Sequence, residues 1–62
     1  MEKPKVKLVG EDGNSFVIMG KVVRALKRAK FDPEYIKKYQ DEATSGDYDH
    51  LLQVTMEYVD VE

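Results

Sequence analysis

The chain contains no cysteine among its 62 residues, so neither a disulfide nor a thiolate-bound zinc ion can hold it together. Its fold must therefore be stable without such cross-links. A chain of about 60 residues buries only about 60% of the surface that it exposes when unfolded. The length predicts one small domain over residues 1–62. So small a core is only marginally stable, and small domains often gain stability by self-association. We therefore take self-association as a hypothesis.

The composition is typical of a soluble globular protein, with 42% apolar and 35% charged residues. No apolar run approaches the roughly 20 residues that a membrane span needs. The first four residues, Met1 to Pro4, are not followed by the apolar stretch of a secretory signal. These features predict a cytoplasmic protein with no membrane partner. The short length excludes a two-domain enzyme with a pocket between its domains.

The net charge of −2 conceals a strong asymmetry between the two halves of the chain. Residues 1–30 carry eight basic and three acidic side chains, a balance of +5, whereas residues 31–62 carry two basic and nine acidic ones, a balance of −7. One interpretation is a basic face for nucleic acid and an acidic face for a protein partner. The other is that the two halves pack against each other or are simply solvated.

The N-terminal third has the pattern of a β-hairpin. Residues 5–9 alternate between lysine and apolar side chains, which is typical of a half-buried strand. Residues 10–14 are rich in turn formers. The segment 15–19, whose residues after Ser15 are β-branched, aromatic or otherwise apolar, predicts a second strand that ends at Gly20.

Helical patterns follow the predicted hairpin. Apolar residues within 21–30 recur at i, i+1, i+4 and i+7, and Asp32-Pro33-Glu34 begins a second helix that runs to about Ala43. Residues 48–58 fit a strand or a helix. We favour a helix because it gathers the apolar side chains on one arc and gains an N-cap from Asp47. Residues 59–61 are then a candidate short strand that adds to the hairpin. The predicted fold class is α+β, with an N-terminal two-stranded β-hairpin packed against two or three helices.

The basic helix is the surface that most favours a binding role. Lys21, Arg24 and Arg28 share one ridge at i, i+3 and i+7, with Lys27 beside them. Such a ridge can contact phosphates, which supply most of the non-specific affinity for nucleic acid. The pI near 5.3 and the lack of a recognisable helix-turn-helix or RNA-binding motif favour a solvated helix face instead. We therefore expect a non-enzymatic interaction protein, with a nucleic-acid-binding accessory protein as the alternative.

Two clusters have residue types that are used in catalysis or metal binding. Residues 47–50 contain two carboxylates and an imidazole, but consecutive helical residues point in different directions, which favours an N-cap over a metal site. Ser45, Asp49 and His50 are the types of a hydrolytic triad, yet no strained nucleophile elbow surrounds them. Residues 10–14 lack the ending of a P-loop and the carboxylates of an EF-hand. We predict no catalytic residue, no metal site and no cofactor.

The strings Lys5-Val-Lys-Leu-Val-Gly, Asp12-Gly-Asn and Glu42-Ala-Thr-Ser-Gly-Asp-Tyr-Asp-His-Leu-Leu52 resemble a family of short uncharacterised proteins from bacterial and phage genomes. The resemblance extends over nearly the whole chain and is most specific over residues 43–52. It implies a small cytoplasmic accessory protein of prophage or mobile-element origin. Since the family has no assigned activity, the resemblance implies no catalytic or cofactor-binding residue.

Overall fold

The computed structural model describes residues 3–8 and 14–62 of the chain. The elements, in chain order, are strand β1 (Lys5–Val6), helix α1 (Ser15–Arg28), helix α2 (Pro33–Ala43), helix α3 (Tyr48–Tyr58) and strand β2 (Asp60–Val61). The two strands form a parallel sheet. Helix α1 packs against β1 and α3 against β2, while α2 packs against the other two helices. The fold is therefore α+β, as the sequence predicts.

The predicted β-hairpin is wrong, because residues 15–19 form the beginning of α1 rather than a strand. The side chain of Asn14 caps this helix, accepting a hydrogen bond of 2.9 Å from the backbone N–H of Phe16. Ile18, Val22 and Leu26 then form one buried row at a spacing of four residues. Burial along this row outweighs the β propensity of the individual side chains. Gly20 lies inside α1, and residues 9–13 of the predicted strand and turn lie outside the described residues.

The partner of β1 is β2, which comes from the opposite end of the chain. Lys5 pairs with Asp60 and Val6 with Val61 in a parallel register. The sheet continues in backbone hydrogen bonds from the N–H of Asp60 to the carbonyl of Pro4 at 2.9 Å and from the N–H of Glu62 to the carbonyl of Val6 at 2.8 Å. The prediction of a short strand within residues 59–61 is confirmed.

The second and third helices begin where their capping residues predict. Pro33 occupies the first turn of α2 directly after Asp32. Asp47 caps α3, its carboxylate accepting a hydrogen bond of 2.9 Å from the N–H of His50. The segment that fits both a strand and a helix is therefore helical, and the favoured prediction for residues 48–58 is confirmed.

The core lies between the three helices and includes Val6 of β1. Its polar contact joins the hydroxyls of Tyr39 and Thr55, which are both fully buried and 2.8 Å apart. Tyr39 also packs edge-on against Tyr58, with ring centroids 5.2 Å apart. The buried hydrophobic residues are Val6, Ile18, Val22, Leu26, Ile36, Tyr39, Ala43, Leu51, Val54, Tyr58 and Val59. Within residues 3–8 and 14–62, none of the helices has the length and apolar character that crossing a membrane requires.

Candidate functional site

A cleft between β1 and α1 brings together five basic side chains, and we call it the basic cleft. Its basic residues are Lys5, Lys7, Lys21, Arg24 and Arg28. The volume of the cleft is about 190 Å³. Pockets for small molecules usually measure about 300–1,000 Å³, so the basic cleft is a shallow surface feature rather than such a pocket.

The two walls of the cleft follow from the periodicity of a strand and of a helix. Val6 is buried in the core, so its neighbours Lys5 and Lys7 project from the opposite face of β1. On α1, Lys21, Arg24 and Arg28 fall within an arc of about 60° at 3.6 residues per turn. The Nζ of Lys21 lies 3.3 Å from the carbonyl oxygen of Lys7 and donates a hydrogen bond that joins the two walls.

The structure separates Lys27 from the other three basic residues that the sequence analysis singled out. Lys27 is exposed, but it is not among the residues that line the basic cleft, because it lies about 120° around α1 from Lys21. Sequence reasoning missed Lys5 and Lys7 as parts of this site. Their alternation identified a strand, but no local signal indicates that the strand lies against α1.

An apolar groove lies on another part of the surface, beside β2 and α3. Leu8, Leu52, Met56 and Val61 line it together with the buried Thr55, and its volume is about 300 Å³. Met56 is 55% exposed and Val61 is 41% exposed, although both are apolar. The groove is therefore an apolar surface that this chain leaves in contact with solvent.

The exposed row on α3 continues from this groove toward the N-terminus of the helix. Tyr48, Leu52 and Met56 are spaced four residues apart, which places them on one side of α3, and Tyr48 is 41% exposed. Tyr48 also lines a neighbouring groove with Phe16, which is 78% exposed. We call the surface formed by Leu8, Tyr48, Leu52, Met56 and Val61 the apolar face.

The corner between α2 and α3 contains the serine and histidine that the sequence analysis considered as parts of a triad. Nε2 of His50 lies 2.9 Å from the carbonyl oxygen of Glu42 and 3.1 Å from Oγ of Ser45. A carbonyl oxygen only accepts, so Nε2 must carry a hydrogen, and the Ser45 hydroxyl donates to the same carbonyl at 2.7 Å. His50 therefore acts as a donor that closes the end of α2, not as a base for Ser45.

Gly46 allows the His50 ring to lie over this corner. A Cβ atom added at Gly46 would lie 2.8 Å from Cγ and 2.9 Å from Cβ of His50. Asp47 begins α3 immediately afterwards, so residues 43–50 form one structural unit that ends one helix and begins the next. Among the residues that the structure describes, no group of three or more His, Cys, Asp and Glu side chains could hold a metal ion.

Two buried tyrosines have raised pKa values. Burial first, and then the charge of the Glu42 carboxylate and a hydrogen bond with it, raise the pKa of Tyr58 to about 12. Burial also raises the pKa of Tyr39, an effect that the hydrogen bond with Thr55 partly opposes. Both phenols are therefore neutral at physiological pH, and neither is poised to act as a base there.

Three comparisons with known proteins give no relative for this chain. No family model matches it, and neither a curated protein nor a solved structure matches it. The resemblance of residues 43–52 to short bacterial and phage proteins therefore stays a prediction. The functional interpretation of the basic cleft and the apolar face depends on their geometry and charge.

Proposed function

We propose that the protein is a small, non-enzymatic interaction protein that self-associates through the apolar face. The observation that carries this proposal is the row of Tyr48, Leu52 and Met56, which continues into the apolar groove at Leu8 and Val61. Single exposed apolar side chains are normal on protein surfaces, whereas contiguous ones mark interaction sites.

A second copy of the chain fits this surface on grounds of size. A stable interface buries about 800 Å² per partner, and the whole chain exposes 4456 Å². One broad side of a molecule that measures 26 × 24 × 16 Å between its Cα atoms can supply such an area. A two-fold pairing would place the apolar row of one α3 against the same row of the partner, which gives a self-complementary contact.

The free energy gained by burying apolar side chains in such a dimer is large relative to the free energy of unfolding of so short a chain. Full burial of one methionine or leucine side chain stabilises by about 1.5–3 kcal/mol. The free energy of unfolding of a chain of this length is only about 3–9 kcal/mol. Met56 is 55% exposed in the single chain, so its burial between two chains supports folding as well as association.

Sedimentation equilibrium over a concentration series, at low and at high salt, tests this proposal. We expect a dimer at both salt concentrations, because apolar burial is not screened by ions. Met56→Glu should raise the dimer dissociation constant about tenfold or more, which corresponds to the lost burial of one side chain. Gln40→Glu is the matched control, since it adds the same charge at an exposed position on α2, outside the apolar face, and should leave the dimer intact. A wild-type chain that remains monomeric at both salt concentrations would contradict the proposal.

The accessory role of this protein is supported by the resemblance of residues 43–52 to short bacterial and phage proteins. On that resemblance we place it in the cytoplasm, as a product of a prophage or mobile element. The non-enzymatic role is supported by His50, whose Nε2 atom donates a hydrogen bond to the carbonyl of Glu42 at the end of α2 and is not free to act as a base.

A further inference from the structure

We infer that the basic cleft binds the phosphate backbone of a nucleic-acid strand. Lys5 and Lys7 contact it from one wall, and Arg24 and Arg28 from the other. These four side chains are exposed at the cleft, and Lys21 holds the two walls together through its hydrogen bond to the carbonyl of Lys7. The inference is independent of the proposed dimer, because none of the cleft residues belongs to the apolar face.

The spacing of the cations suits a polymer with regularly repeated charges. Lys5 and Lys7 are two residues apart at the end of β1, a separation of about 6.6 Å along an extended chain. Arg24 and Arg28 are four residues apart on a helix, a rise of about 6 Å along its axis. Each wall therefore carries a pair of cations with a similar spacing. A strand of successive phosphates lying along the cleft meets both pairs, whereas a single carboxylate meets one cation or two.

Compensation of the helix dipole does not account for the cluster. The basic residues in the last turn of α1 are Lys27 and Arg28, and cations stabilise that end of a helix. Lys5 is in β1 and Lys7 directly follows that strand, and Arg24 lies one turn earlier in α1. None of the described residues that line the cleft is acidic, and Asp60, the register partner of Lys5, is not among them.

The remaining residues that line the cleft indicate which part of a nucleic acid is bound. They are Val6 and Ala25, so none of the described residues that line the cleft offers an aromatic ring for a base to stack on. Arginine forms paired hydrogen bonds with phosphate oxygens, and lysine binds phosphate as a point charge. The contacts are therefore to the backbone, and we expect binding with little sequence preference.

The number of phosphate contacts fixes the expected salt dependence. Four contacts give a slope of log K against log salt of about −3 for a single strand and about −4 for a duplex. Removing one contact should reduce that slope by about one. The overall charge of −2 opposes binding at long range, so we expect measurable affinity only at low ionic strength.

The test is a salt series of fluorescence anisotropy with a labelled oligothymidine and, separately, a labelled DNA duplex. Arg24→Gln and Lys5→Gln, on opposite walls, should each weaken binding several-fold and reduce the slope by about one. Lys27→Gln is the matched control, because it removes the same charge from the same helix outside the cleft. It should leave the slope unchanged. All three side chains are exposed, so we expect each variant to melt at the wild-type temperature in circular dichroism.

Several results would overturn the inference. One is that no oligonucleotide binds the wild-type chain at low salt. Another is that Lys27→Gln weakens binding as much as Arg24→Gln, which would mean that net charge and not the cleft determines affinity. The same titration is also carried out with vesicles that contain anionic lipid. Tighter binding to these vesicles, with the same dependence on Lys5 and Arg24, would assign the cleft to a membrane surface instead.

Discussion

The hydrogen bond between Tyr39 and Thr55 makes the sharpest prediction about stability. Both residues are fully buried, and their hydroxyl oxygens are 2.8 Å apart. Thr55→Val keeps the shape of the side chain but leaves the Tyr39 hydroxyl buried without its partner, which should cost about 1–3 kcal/mol. Tyr39→Phe should cost less, about 1 kcal/mol, because the Thr55 hydroxyl can turn to the backbone carbonyl of Leu51 one turn earlier.

These costs are large for a chain whose free energy of unfolding is about 3–9 kcal/mol. For a domain of this size, 1 kcal/mol corresponds to about 4–8 °C in Tm, so Thr55→Val should lower Tm by roughly 10 °C. The double variant, Tyr39→Phe with Thr55→Val, removes both hydroxyls together. It should therefore be less destabilised than the sum of the two single variants.

Urea unfolding followed by far-UV circular dichroism measures all four members of this cycle. Thr44→Val is the matched control, since Thr44 is exposed and its hydroxyl bonds to the carbonyl of Gln40 at the surface. Its effect should remain within about 0.5 kcal/mol. The reasoning is refuted if Thr55→Val costs no more than Thr44→Val, or if the double variant loses the full sum of the single losses.

Further substitutions test other contacts by urea unfolding. Gly46→Ala should destabilise by about 1–2 kcal/mol, because the new Cβ forces the His50 ring from its place. Gly20→Ala should instead stabilise by about 0.5–1 kcal/mol, since a Cβ there meets nothing within 4 Å and the position is inside a helix. Asn14→Ala removes the cap of α1 and should cost about 1 kcal/mol, whereas an unchanged midpoint would contradict that cap. Tyr58 should make stability fall as pH rises from 10 to 12, because the unfolded phenol ionises near 10 and the folded one at about 12. Tyr58→Phe should remove that part of the decline, and an identical alkaline profile for both chains would contradict the raised pKa.

The second and third helices were predictable because their start signals are local. Asp32 followed by Pro33 indicates a helix start in the sequence alone, and Asp47 caps α3 from the position next to it. The corner at residues 44–46 was predictable for the same reason. These signals act within a few residues and do not depend on what the helix packs against.

The first helix was missed at its N-terminus because two periodicities compete there. Residues 15–19 have the composition of a strand, but Ile18 also continues the helical row of Val22 and Leu26. The spacing of this row, together with a capping residue at Asn14, is the sequence signal for the first turns of α1. The pairing of β1 with β2 had no such signal, since a parallel contact between the two ends of the chain depends on the packing of everything between them.

Only the wall of the basic cleft that α1 supplies could be predicted from the sequence. The helical spacing of Lys21, Arg24 and Arg28 is visible in the sequence and places them on one ridge. The contribution of Lys5 and Lys7 follows from β1 lying beside α1, which is a tertiary contact. The exposure of the apolar face was also unpredictable, because its row on α3 has the same spacing as a row that faces the core.

Self-association through the apolar face is tested most directly by two-dimensional ¹⁵N–¹H spectra of the wild-type chain over a dilution series. We predict amide chemical shifts that change with concentration at Leu8, Leu52, Met56 and Val61. The amide shifts of Lys21, Arg24 and Arg28 should stay constant. Spectra that do not change with concentration would contradict the claim, as would changes confined to α2.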